Sequence, residues 1–348
     1  MLYDKNVRSD SAGRLYYFDN AKFILIFLVV LAHALSPLQS RSAFCRVAWV
    51  VINNFHMPAM IFISGFFAKR YISRAREIKV QRVVTNVLLY LAAQLSVAAF
   101  ERFVLKAEIG FSLLSARSSL WFLQCLIWWY ILLPVLRNFP PKAVMILAVL
   151  FGLYVGYEDK ANNFLALSRM FVHLPFFMAG YYVKQEQIEQ LSARKYKWIG
   201  LASFAVVAAV CLIWPRTAIG AIITCNTPYE KIAALEAVPQ ALQWVARLWF
   251  YVAAAALIVG FLAFVPRGRA IFTKLGKETL SVYILHRFLY LAYQQYQWYL
   301  PFASPLGIAG MCLIALALTV AFSLKPFTLP FHWLQGVKIS EKKKENAA

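Results

Sequence analysis

His33, His56, His173 and His286 each fall inside a long apolar run of this chain, while the fifth histidine, His332, lies in the tail. An ionisable side chain within hydrocarbon is costly and tends to face a bundle interior or a wet cavity. One such ring is most simply a satisfied core histidine. Four of them, on different apolar runs, point to a polar cavity. Histidine titrates near neutrality, so rings gathered there suit proton transfer.

The spacing around each ring adds detail. In "DNAKFILIFLVVLAH", Lys22 and His33 are eleven residues apart. On a helix that separation is three turns plus about 20°, so both share one face, with a rise of about 16 Å between them. Lys22 would sit at headgroup level and His33 about halfway across a bilayer. A phosphate-bearing ligand could touch the lysine while its reactive end reached the histidine; alternatively Lys22 is a snorkelling anchor. Asp19 lies three residues before it, placed to pair with it or to complement the helix start. In "VINNFHMP", Asn53 and His56 share a face, and Pro58 cannot donate to the Asn54 carbonyl. In "SRMFVHLP", Arg169 and His173 are four apart, and Arg169 either meets a substrate or carboxylate or snorkels outward. Arg117 precedes "SSLWFLQ", where Trp121 and Gln124 share a face. These aromatics are an interfacial belt or a sugar platform. His286 closes "LGKETLSVYILH".

Long apolar helices must hold these residues. The 348-residue chain is 61% hydrophobic, with a mean hydropathy of +0.61. A soluble domain is nearer half apolar, and the excess here falls into blocks of about 18–22 residues, the length of a bilayer-crossing helix. The expected fold is an all-α polytopic membrane protein with about ten spans: 22–38, 46–67, 83–100, 119–136, 142–157, 163–183, 197–214, 244–265, 278–298 and 304–324. Residues 1–21 form an N-terminal cytoplasmic segment, 22–324 the transmembrane domain and 325–348 a basic cytoplasmic tail. Residues 1–16 are polar and charged and do not resemble a cleavable signal peptide, so the first span is expected to stay. The net charge is +21, concentrated in alternate loops such as "AKRYISRAREIKVQR". That bias puts both termini in the cytoplasm and makes topology, rather than nucleic acid, the first explanation of the charge. Some of these basic runs could also hold a polyanionic cytosolic ligand. The segment 215–243 is the longest loop on the far side and is placed to cover a site. Five cysteines without paired spacing indicate neither a disulfide framework nor a metal site.

Taken in order, "DNAKFILIFLVVLAH", "FHMPAMIFISGFFAKR", "RMFVHLPFFMAGYYVK" and "LGKETLSVYILH" resemble the acyltransferase-3 family of integral membrane O-acyltransferases, and most of all its fucose 4-O-acetylase-like branch. The resemblance implies ten core helices in a bacterial plasma (inner) membrane. It implies acetyl-CoA, or another acyl-CoA, as a donor substrate rather than a resident cofactor, and a sugar or envelope-glycan hydroxyl as acceptor. The family signature is an arginine, ten residues, then a histidine. Here lysine stands in the arginine position, which keeps the charge and loses the planar bidentate grip on phosphate. The resemblance makes His33 the catalytic histidine and His56 a second functional one, carries over Arg169, and gives His286 a structural or site-lining role.

A thioester is already activated, so transfer to a hydroxyl needs a base and some oxyanion stabilisation. The expected roles are His33 as base or acyl-accepting nucleophile, with His56 or Asn53 orienting it or stabilising the oxyanion. Lys22 with Arg70 or Arg74 would meet the donor phosphates, and Arg117, Trp121 and Arg169 the acceptor. A secondary transporter of a small solute or glycan intermediate is the alternative, since intramembrane histidines and kinked helices also suit proton-coupled transport. A non-catalytic scaffold would need no such cluster of rings.

Overall fold

The computed structural model describes residues 15–71, 80–161, 163–213 and 216–337, and these form helices joined by short turns and one isolated bridge between Ser115 and Phe164. The helices are α1 (Tyr16–Leu35), α2 (Ala43–Ala68), α3 (Val80–Ala99), α4 (Trp121–Leu136), α5 (Pro141–Tyr154), α6 (Leu167–Tyr182), α7 (Gln185–Gln190), α8 (Arg194–Ile213), α9 (Arg216–Thr224), α10 (Trp244–Phe264), α11 (Thr279–Gln295), α12 (Pro305–Phe322) and α13 (Lys325–Gly336). Among the described residues, six stretches are long and apolar enough to cross a membrane: Tyr16–Leu38, Ala43–Ala68, Val80–Val104, Arg194–Ile213, Gln240–Phe264 and Pro305–Phe322.

The other four expected spans form α4, α5, α6 and α11, of 16, 14, 16 and 17 residues, below the ~20 that a perpendicular crossing needs. Two of them, α6 and α11, carry the Arg–His pairs, so the polar face that builds a site also lowers their apolar signal. Helix α6 starts later than its apolar run because Leu165 and Ala166 both adopt left-handed backbone (φ 51° and 52°). Two successive non-glycine residues in that region cost about 1–3 kcal/mol each. Tertiary hydrogen bonds hold them: the Leu165 N–H donates to the Leu114 carbonyl at 2.7 Å, and the Trp128 indole donates to the Leu165 carbonyl at 3.1 Å.

Two close backbone approaches fix the bundle. Helices α2 and α6 cross glycine on backbone. A Cβ on Gly65 would lie 1.9 Å from the Phe177 carbonyl oxygen, and one on Gly180 would lie 1.9 Å from that of Phe62. Without a hydrophobic driving force between helices in lipid, such small-residue crossings let van der Waals contact hold the pair. Helices α8 and α10 meet the same way, Gly200 against Gly260. The small residues Gly180 and Gly260 therefore serve contacts within the chain.

The start of α1 is clamped to the connection between α10 and α11. The buried Asn20 amide donates to the carbonyls of Pro266 (2.8 Å) and Gly268 (2.9 Å) and accepts from the Thr273 hydroxyl (2.6 Å). Tyr17 donates to the Leu262 carbonyl at 2.7 Å. Gly276 lies against the Asp19 backbone, where a Cβ would come 1.9 Å from the carbonyl oxygen. This clamp sets the position of α1 along its axis, and so the level at which His33, in its last turn, is held.

Gly65→Ala and Gly180→Ala should each force α2 and α6 apart and lower stability by about 1–3 kcal/mol, the usual cost of overpacking. Gly310→Ala, on α12 with no atom within 4 Å of the added carbon, should be neutral. Thermal melts in detergent check this, and equal melting points for all three would contradict the crossing.

Candidate functional site

A cavity of about 440 Å³ lies among α1, α2, α4, α6 and α11, closed by the segment around Ile223–Asn226. His33, His56 and His173 all line it, with Asn53, Trp121, Arg169, Tyr283 and Tyr290. The order in sequence gives no contact between these residues; the glycine crossing supplies it. His56 lies nine residues before Gly65 and His173 seven before Gly180, about 14 and 11 Å along their helices.

The rings differ in how they are held. His56 Nδ1 bonds the Ile52 carbonyl at 2.7 Å, and His173 Nδ1 bonds the Arg169 carbonyl at 2.9 Å. A carbonyl only accepts, so in each case Nδ1 carries the proton, and in a neutral ring Nε2 is left as a lone-pair acceptor. In this tautomer a neutral His56 has no free N–H to offer an oxyanion and presents a lone pair at Nε2 instead. It can take a proton or hold a hydroxyl. His33 has no such anchor among the described residues. Its ring packs against Tyr290 (centroids 4.6 Å apart) and His286 (5.2 Å).

Arg169 lies with its guanidinium carbon 5.1 Å from the centre of the Trp121 ring, and its Nε donates to the Thr224 carbonyl at 2.9 Å. Trp121 also stacks obliquely on His173 at 5.1 Å. Asn53 donates to the Trp49 carbonyl at 2.8 Å, which leaves its amide oxygen and one N–H for the cavity. The closing segment is tied down by Ser168 donating to the Cys225 carbonyl (2.8 Å) and by Asn226 meeting Asn163 (3.3 Å). Cys225 is the thiol nearest this wall, but burial pushes its pKa up to about 11 against the lowering effect of Arg247 and Arg169. It stays a thiol at neutral pH, a poor nucleophile.

A second cavity, of about 350 Å³, lies at the Lys22 end of α1. Lys22, Arg70, Arg82 and Lys277 supply four basic side chains to its wall; among the described residues that line it the one carboxylate is Asp19, which holds Lys22 Nζ at 2.9 Å. Tyr283 lines both cavities and is the side chain they share; its hydroxyl donates to the Ser119 carbonyl.

Arg117 is placed apart from the cavity that its sequence neighbour Trp121 lines. Its guanidinium pairs with Glu101 at 2.5 Å and donates to the Gly110 carbonyl, and its backbone N–H donates to Gln94 at 3.0 Å. The arginine ties the loop 105–117 to the end of α3. His286 does not line the polar cavity but stands behind His33, with Nδ1 bonded to the Val282 carbonyl at 2.8 Å. Arg74 lies outside the described residues. Tyr283 and Tyr290 were not singled out by the sequence reading. Their signal was present: with His286 they fall at i, i+3 and i+7 on one helical face. Arg82 and Lys277 were hidden among basic residues that topology alone explains.

A family model described as an acyltransferase domain matches residues 15–324, nearly the whole helical bundle. No curated protein and no solved structure matches the chain.

The Arg117–Glu101 pair is mostly buried, at 17% and 16% exposure, so it should behave as a structural bond. Arg117→Gln and Glu101→Gln should each destabilise by about 1–3 kcal/mol, as for a hydrogen bond between charged groups, and the double variant by less than the sum. Chemical denaturation of the four proteins measures the coupling, and strict additivity would contradict it.

Proposed function

The chain belongs to the acyltransferase-3 family and is a membrane acyltransferase; from that premise we propose that it is an O-acetyltransferase, working from cytoplasmic acetyl-CoA onto a sugar or envelope-glycan hydroxyl, in the manner of the fucose 4-O-acetylase-like branch. The observation that carries this reading is the pair of cavities meeting at Tyr283, one basic and one lined by histidines. In this reading ten helices cross a bacterial inner membrane, the four short ones included, with both termini and the basic loops in the cytoplasm.

The donor's phosphates dock on Lys22, Arg70, Arg82 and Lys277. Arg70 and Arg82 provide the planar guanidinium that lysine lacks at position 22. The rise of about 16 Å from Lys22 to His33 is spanned by the donor's pantetheine arm, which carries the thioester past Tyr283. The acceptor sugar stacks on Trp121 beside Arg169, and His56 Nε2 accepts a hydrogen bond from one of its hydroxyls. His33 takes the proton from the attacking hydroxyl as its oxygen bonds the acyl carbonyl carbon. The tetrahedral intermediate collapses with cleavage of the carbon–sulfur bond. The proton passes from His33 to the leaving sulfur, giving the O-acyl ester and free CoA. Arg169, a cation in a low-dielectric cavity, favours the negative charge that develops on the carbonyl oxygen.

His33→Ala should lower kcat by about a hundred- to ten-thousand-fold, the usual contribution of a general base, while insertion and melting stay close to wild type. Release of free CoA thiol from acetyl-CoA by the purified protein, with crude envelope glycan as acceptor, measures it; wild-type turnover in that variant would remove His33 from the chemistry. Lys22→Gln should raise the KM for acetyl-CoA with little change in kcat, and Lys22→Arg should restore it. An unchanged KM in Lys22→Gln would place the donor elsewhere.

A further inference from the structure

A third cavity, of about 340 Å³, lies between α1, α11 and α12 and reaches the back of the histidine site. Its walls are almost wholly apolar, with Val30, Leu289, Met311, Ile314 and Leu318 among them. Among the described residues that line it, those with polar side-chain atoms are His33, His286, Tyr290, Tyr293 and Trp298. Leu289, Ile314 and Trp298 are 39%, 42% and 52% exposed. On a membrane-spanning bundle such apolar exposure faces lipid, so the cavity opens sideways into the bilayer. His33 and Tyr290 line both this cavity and the polar one. A ligand at His33 therefore has two exits, a polar chamber for a head group and an apolar slot for a chain. Beside the slot the Tyr293 hydroxyl donates to the Ala34 carbonyl at 2.9 Å and ties α11 to the end of α1.

We propose that this slot admits the hydrocarbon tail of a lipid-borne acceptor from the bilayer, with its sugar head group in the polar cavity and the hydroxyl to be acylated at His33. The inference rests on the acyl-transfer reading for its chemistry, and the step is the one already written: the acceptor oxygen bonds the acyl carbon, the carbon–sulfur bond breaks and the hydroxyl proton leaves with CoA. The observations favour the acceptor's tail over a long acyl chain on the donor. A donor chain would arrive from the Lys22 side, past Tyr283, and would need a closed pocket. A lipid-borne acceptor has to come in through the side of the bundle, and the lipid-facing mouth provides the way. Trp298 at that mouth is the residue type that sits at the membrane–water boundary, where such a head group would travel.

The test is photolabelling of the full-length protein in nanodiscs with a diazirine-tagged polyprenyl phosphate, followed by peptide mapping. Labels concentrated on α11 and α12 around Leu289, Ile314 and Leu318, competed by untagged polyprenyl phosphate but not by phosphatidylglycerol or palmitoyl-CoA, support the proposal. Leu318→Trp, which fills the slot, should reduce that labelling several-fold while acetyl-CoA hydrolysis persists; Leu318→Phe serves if the larger ring lowers the melting point. Labels spread evenly over lipid-facing helices, or competed equally by phosphatidylglycerol, would reduce the slot to a place where bilayer lipid rests and overturn the proposal. Competition by palmitoyl-CoA would assign the slot to the donor and overturn it too. Acetyl-CoA turnover read in the same nanodiscs with crude envelope glycan added as acceptor separates the two readings: specific labelling without turnover would sink the acyl-transfer assignment and leave the lipid site standing.

Discussion

The close crossing of α2 and α6 is the contact on which the site depends. Each helix presents a glycine to the other's carbonyl, so neither can move without opening a void or driving carbon into oxygen. In lipid this is how packing replaces the hydrophobic effect. The crossing is also what brings His56 and His173 to one cavity, each ring carried a few turns from its glycine. Both helices then continue through a proline, Pro58 and Pro175. Neither proline can donate to the carbonyl four residues back, Asn54 in α2 and Phe171 in α6. Rigid crossing on one side and loosened backbone on the other produce a wall that is fixed in place yet rich in polar groups.

The clamp on α1 does the complementary work along the bundle axis. Asn20 uses both amide hydrogens and its oxygen on the α10–α11 connection. A buried amide so fully engaged is costly to move, since each broken bond leaves a buried polar group unmet. One end of α1 therefore carries Lys22 in the basic cavity, and the other carries His33 between the polar chamber and the apolar slot. In the proposed reading the helix is a rod between the donor's phosphates and the reacting thioester, and its length needs no domain movement to join them.

Much of this was legible along single helices. The shared face of Lys22 and His33, of Asn53 and His56, and of Arg169 and His173 follows from a period of 3.6, and the described structure keeps each pair on one cavity or on the adjoining ones. What spacing cannot give is the partner across the bundle. Arg117 precedes Trp121 in sequence, but the carboxylate it pairs with is Glu101, in the short helical turn just past α3. The wall at Thr224–Asn226, where α9 ends, falls in the segment that the sequence marks as placed to cover a site, but its ties to Arg169 and Ser168 cannot be read from spacing. The shortness of α6 and α11 was also hidden: their runs are apolar enough to mark as spans, yet the helices come to 16 and 17 residues, α6 because left-handed backbone at Leu165–Ala166 delays its start. The strained turn at Leu165–Ala166 is invisible in sequence, because neither leucine nor alanine favours left-handed backbone.

Tyr283 has a bearing on the membrane itself. A polar chamber at each end of the bundle would, if joined, be a water-filled path, and a cell cannot tolerate such a leak for protons or ions. Here the two chambers share one phenol ring, whose hydroxyl is committed to the Ser119 carbonyl. An acyl group is small and uncharged once its donor's phosphates stay behind, whereas a hydrated ion is neither. In the proposed reading the same ring that divides the chambers can therefore act as a filter, passing the uncharged arm and acyl group of the donor while the bilayer keeps its electrical seal.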